Sequence, residues 1–259
     1  MNQEERRRFL IEELLRERLS CRRQEIPADT DRQKVLLRSL MNVRHPGAIS
    51  QRFLEVQDAY LQGELAAKKI TRLSELSPLQ NGIYLWRGDI TTLDCGAIVN
   101  AANSGMTGCY QPCHNCIDNC INTFAGVQLR LKCAEIMEQQ GYEEPTGQAK
   151  ITPAYNLPCD YVIHTVGPIV RGELTRQHCE LLKSCYRSCL ELADENNVGS
   201  IAFCCISTGI FMFPNDRAAE IAVQTVQEYK AETGSKIEVV FNVFKEQDER
   251  IYRKLLSAD

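Results

Sequence analysis

Four cysteines crowd one short stretch of this chain. Cys109, Cys113, Cys116 and Cys120 stand close together with His114 among them. Thiolate and imidazole are ligands that zinc prefers, and three protein ligands leave a fourth position for water or substrate. Such an open position marks a catalytic rather than a structural centre. The spacing is not that of a zinc finger, so the pattern alone leaves two readings: a metal loop, or a loop of packed thiols with an incidental histidine. Cys113 is an alternative ligand. Cys120 is expected to pack against its neighbours if a helix begins near Ile117.

Other polar residues could do chemistry nearby. Asp118 could activate or orient a water, or it could cap the helix that starts there. Asp89 opens a turn, where an aspartate commonly bonds the backbone two residues on. Asn100 and Asn103 follow an apolar run. In Ser207-Thr208-Gly209-Ile210-Phe211, Gly209 lets the backbone come close to a ligand, and successive amides can form an anion nest. Phe244 ends the last apolar run and reads either as a stacking surface or as a core aromatic. His164 lies inside an apolar strand and is expected to be a satisfied core histidine. His178 is expected to be solvated, and His45 shows no role.

These residues need a frame. Apolar strands alternate with amphipathic helices after residue 80. Strands are expected at Ile83–Trp86, Ala97–Asn100, Ala149–Ala154, Tyr161–Val166, Ser200–Ile206 and Ile237–Phe244. Helices are expected over Thr123–Gln140, Leu174–Glu195, Arg217–Lys230 and Asp248–Leu256. This pattern implies a mixed or parallel sheet between helices, with ligands at the carboxyl ends of the strands. Residues 1–80 differ, being rich in Arg, Glu, Gln and Leu. Three helices are expected there, around Phe9–Leu15, from a Thr30-Asp31 cap to Met41, and over Ile49–Ile70. The turn cluster Ser77–Gly82 separates this extension from the domain over residues 81–259.

Composition excludes some classes. The chain has 259 residues, 30 Lys and Arg against 34 Asp and Glu, and a formal charge of −4. A mildly acidic chain is a poor phosphate-tracking binder, so no nucleic acid partner is expected. Glu12-Glu13 follow Phe9-Leu10-Ile11 at once, so no signal peptide is expected. No apolar run is long enough for a membrane span, so no membrane role is expected. The 13 cysteines are odd in number, so reduced thiols in a cytoplasmic location are expected rather than a disulfide framework. Cys185, Cys189, Cys204 and Cys205 read as core.

Four loops fall on one rim: Gly88-Asp89-Ile90-Thr91, Asn100-Ala101-Ala102-Asn103, His164-Thr165-Val166-Gly167-Pro168 and Ser207-Thr208-Gly209-Ile210-Phe211. Their order and spacing resemble the macrodomain family of ADP-ribose-binding modules, over roughly residues 83 to 256. The cysteine-rich insertion and the helical extension resemble its zinc-containing subgroup of protein mono-ADP-ribosyl hydrolases. The resemblance implies a three-layer α/β/α sandwich with a mixed sheet, and one Zn2+ on Cys109, His114 and Cys116. It implies adenine at Asp89 and Ile90 and the diphosphate at the loop Ser207, Thr208, Gly209, Ile210 and Phe211, where Phe211 would cover the distal ribose or the phosphates. Asn103 would orient the distal ribose, and Asp118 would lie near the scissile bond. The implied reaction removes mono-ADP-ribose from Asp or Glu side chains of a protein, with a lipoyl-carrier protein as an implied substrate and ADP-ribose as product. The rival readings are a non-catalytic ADP-ribose-binding module and a deacylase of O-acetyl-ADP-ribose.

Overall fold

The computed structural model describes residues 1–18 and 25–257; Cys21 lies outside the described residues. Three helices come first: α1 (Gln3–Glu17), α2 (Thr30–Val43) and α3 (Gln51–Ala66). The sequence places a cap at Thr30-Asp31, but Asp29 is the cap, accepting from the Arg32 amide. Aspartate holds the first free amides of a helix well at this position. The helices bury Leu10, Ile11, Leu14, Leu37, Leu40 and Phe53 against one another, and this cluster also takes in Val127.

Two short strands then pair in parallel, β1 (Thr71–Arg72) with β3 (Leu93–Asp94). Neither is apparent in the sequence, because two residues carry no periodicity. The main sheet contains β2 (Ile83–Arg87), β4 (Ala97–Ala102), β5 (Ala149–Pro153), β6 (Tyr161–Val166), β7 (Ser200–Phe203) and β8 (Glu238–Val243). Its order is β2-β8-β7-β4-β6-β5, parallel throughout except for β5. The central strands are apolar on both faces because helices cover both. On one face lie α4 (Ile117–Ala125) and α5 (Val127–Gln140). On the other lie α6 (Arg176–Glu195), α7 (Asn215–Thr233) and α8 (Glu246–Leu256). The expected three-layer sandwich with a mixed sheet is what the chain forms.

One helix expected in the sequence is two. The run from Thr123 to Gln140 breaks at Gly126, whose φ of 98° no helix accepts. A Cβ at Gly126 would meet Gln57 Nε2 at 2.6 Å. Gln57, from α3, accepts from the Val127 amide at 2.9 Å and so caps α5 from outside. Among the described residues, no helix is long and apolar enough to cross a membrane.

Candidate active site

The strand order brings the ends of β4, β6, β7 and β8 to one rim. The cysteine-rich loop between β4 and α4 stands at its edge. Ligand atoms of Cys109, His114 and Cys116 lie within 4.8 Å of one another, and Cys109 Sγ is 3.7 Å from His114 Nδ1. Two thiols and one imidazole on one point form the donor set that zinc favours. Burial, with the neighbouring Cys109 adding to it, pushes the Cys116 thiol up to about 12. Two sulfurs this close repel as thiolates unless a cation lies between them. Cys113 does not join them: it adopts φ 53° and turns its Sγ toward the Val35 carbonyl. Cys120 is packed under the Arg38 guanidinium, as its position on α4 implies.

Behind this loop is a buried polar chain. Asp118 is 5% exposed. It does not cap α4; Cys116 does, by accepting from the Asn119 amide. The Asp118 Oδ1 accepts from Asn100 at 2.8 Å and from Asn122 at 3.1 Å. Its Oδ2 has Asn103 Nδ2 at 3.4 Å. Burial pushes this carboxyl up to about 6, against the amides of Asn100 and Asn122 and the charge of Arg130. The Asn100 amide also faces His164 Nδ1 at 3.2 Å, and His164 Nε2 faces Thr152 Oγ1 at 2.9 Å. His164 is thus a core histidine, and burial pushes its imidazole down to about 4. Asn103 is exposed on the rim, donating to the Gly108 carbonyl at 3.2 Å and accepting from the Gly105 amide. It ties the start of the cysteine loop to Asp118.

Further along the rim, Asp89 Oδ1 accepts from the amide and hydroxyl of Thr91, at 3.0 and 2.6 Å. Its Oδ2 points outward, 3.9 Å from Lys68 Nζ. Lys68 follows α3 and also sits 3.9 Å over the Phe124 ring. Ile90 is buried beside it. The Ser207–Phe211 segment does not use its glycine for the turn: the left-handed residues are Ser207 (φ 65°) and Met212 (φ 56°). A side chain at Gly209 would meet no atom within 4 Å, so the loop is open there. The Phe211 carbonyl accepts from the Val170 amide, linking this loop to the Gly167-Pro168 loop. Phe244 is 78% exposed and therefore not a core aromatic. A groove of about 750 Å³ opens at the other end of the sheet, lined by residues including Tyr84, Lys230 and Glu238. None of the predicted site residues lines it.

The macro domain model matches residues 99–222. A protein-ADP-ribose hydrolase of Treponema medium is 63% identical over 261 residues, covering 99% of this chain and all of that protein. This chain belongs to the macro domain protein-ADP-ribose hydrolases. A second such hydrolase, from Staphylococcus aureus (strain MSSA476), is 49% identical over 253 residues, covering 97% of this chain and 95% of that one. A Trypanosoma brucei macrodomain solved in complex with ADP-ribose superposes with a TM-score of 0.66 at 29% identity, covering 84% of this chain and 94% of that one. Several residues beside the cysteine loop and the rim are not announced by the sequence pattern. They are Arg38, Asn42, His45, Lys68, Asn119 and Arg130. Arg38 and Asn42 stand four apart on α2 and so share one helix face, which was the signal available.

Proposed function

We propose that this chain is a zinc-dependent hydrolase that removes mono-ADP-ribose from acidic Asp or Glu side chains of a protein. The reading is carried by the convergence of Cys109, His114 and Cys116 beside Asn103 and Asp118. Cys109, His114 and Cys116 would hold the ion, which when bound supplies positive charge to a ribose oxygen or to a water. Asp89 takes the adenine amino group on its outward oxygen, and the Ile90 amide reads a ring nitrogen. Phe244 stacks on the adenine. The segment Ser207, Thr208, Gly209, Ile210 and Phe211 wraps the diphosphate with backbone amides, which answers the net negative charge of the chain. Asn103 orients the distal ribose. Asp118 binds and orients a water through Oδ2, its Oδ1 being held by Asn100 and Asn122. As the ester C–O bond breaks, that water supplies its hydroxyl to one side and its proton to the other, releasing ADP-ribose and the free carboxylic acid, which ionises to solvent. In this reading residues 81–259 are the catalytic domain, residues 1–80 brace it, and the protein works in the cytoplasm. A lipoyl-carrier protein is the substrate implied by the family resemblance alone.

The test is metal analysis of the purified full chain joined to hydrolysis of an Asp- or Glu-linked substrate. We expect zinc and release of ADP-ribose. We also expect Cys116→Ala to lose both, with a much smaller fall in ADP-ribose affinity. Full turnover by verified zinc-free protein would defeat the metal claim. Faster turnover of O-acetyl-ADP-ribose would move the substrate to a small metabolite. Binding without turnover would leave an ADP-ribose reader.

A further inference from the structure

The loop that carries Cys109, His114 and Cys116 has little regular structure of its own. Its backbone polar groups must therefore be satisfied by side chains from elsewhere. Much of that work falls to α2. Arg38 Nη2 donates to the His114 carbonyl at 2.7 Å and to Asn119 Oδ1 at 3.1 Å. The second bond sets the orientation of the Asn119 amide. With its oxygen engaged by Arg38, Asn119 turns its Nδ2 toward the carbonyls of Cys109 and Gln111, at 3.3 and 2.9 Å. Asn42 Oδ1 accepts from the Cys113 amide at 2.9 Å. The backbones of Cys109 and His114 thus depend, directly or through Asn119, on one guanidinium from the extension.

A second group locks α2 to the same loop. Arg130 of α5 donates to the carbonyls of Met41, Asn42 and Arg44 at the end of α2, and has Cys109 O at 3.4 Å. No basic residue of α2 itself stands in its last turn, so Arg130 supplies the cation that free carbonyls favour there. The same guanidinium lies 4.3 Å from the Tyr110 ring centroid, and the His45 ring stacks on Tyr110 at 5.0 Å.

We propose that Arg38 is a positioning residue: it fixes the spacing of Cys109 and His114 from the extension, and so sets how tightly these ligands hold zinc. This rests on the metal reading above. Partners that orient metal ligands from behind commonly change metal affinity by about 10- to 100-fold when removed.

The experiment is competition for zinc alone, between the full chain and a chromophoric chelator, for wild type, Arg38→Ala and Asn42→Ala. ADP-ribose affinity and melting temperature are measured on the same samples. We expect Arg38→Ala to weaken zinc binding by about tenfold or more, with ADP-ribose affinity nearly unchanged. Asn42→Ala, which removes the Cys113 anchor, should weaken zinc less and keeps the test alive if Arg38→Ala does not fold. Arg38→Lys should restore only part of the affinity, since lysine lacks the planar fork. Wild-type zinc affinity in the Arg38 and Asn42 variants would overturn the proposal and leave the metal site standing. Equal losses of zinc and ADP-ribose affinity would overturn it in favour of general loosening. Failure of the wild-type chain to bind zinc would overturn both readings.

Discussion

Asp89 is bonded on one side and open on the other. One carboxylate oxygen holds Thr91, as an ordinary turn aspartate would, while the other faces the rim and Lys68. The sequence alone set these two roles against each other; the geometry lets one side chain serve both. Asp89→Ala should weaken ADP-ribose binding by one to two orders of magnitude, about 1.5–3 kcal/mol for a lost charged hydrogen bond. Calorimetry with unchanged affinity would remove Asp89 from the site. His164 gives a prediction in pH. Its imidazole is held near 4 inside the sheet, with Cys133 Sγ at 3.8 Å and Asp118 reached only through Asn100. An unfolded histidine titrates near 6.5. Between those values the unfolded chain binds a proton that the folded one refuses. This group by itself therefore withdraws about 3 kcal/mol of stability as pH drops from about 6.5 to about 4. Denaturant midpoints for wild type and His164→Gln would show it as a difference: the Asp118 carboxyl, held near 6, works in the opposite sense in both proteins, so the variant should lose less stability on acidification, or gain more, than wild type over that window. An identical slope would clear His164 of the effect. His164 could be read from its apolar strand. Its partners could not, because Asn100 and Thr152 lie on other strands and only register brings them together.

At the scale of elements, the sequence carried periodic segments well and single-residue interruptions poorly. Each main strand falls where alternation or an apolar run put it. The split between α4 and α5 was missed because Gly126 sits in an otherwise continuous helical pattern, and the reason for the break, Gln57, comes from another helix. The left-handed residues beside Gly209 were missed for a related cause: Ser207 and Met212 are not types that signal positive φ. Arg38 stayed hidden because its partners belong to a loop far along the chain. Gly126→Ala would force a Cβ into an unfavourable φ and against Gln57, so it should cost about 1–3 kcal/mol in urea or thermal melts. A loss of only a few tenths would mean the helix junction relaxes freely.

For the whole molecule, the extension and the domain behave as one packed body. Its three helices share a cluster with Val127, and Asp58 accepts from Gln128 and Asn156 of the domain at 2.8 and 2.7 Å. Deleting residues 1–75 should uncover Val127 and remove the Gln57 cap of α5, lowering melting temperature or solubility far more than ADP-ribose affinity. A truncated protein of equal stability that fails only on protein substrate would make the extension a recognition element instead. The order of the sheet has a further result, in the time course of folding. Strand β2 pairs with β8 alone in the main sheet, although some 150 residues separate them. During synthesis Ile83–Arg87 must wait, unpaired, until Glu238–Val243 has emerged, whereas β5 and β6 meet within a short span of chain. Distant pairings of this kind close late because the loop entropy must be overcome first. Pulse-labelled hydrogen exchange during refolding should therefore protect the amides of β2 and β8 together and last. Until then the chain exposes Ile83, Leu85 and Val239 on an open strand edge, which is where a nascent copy is most vulnerable to joining its neighbour.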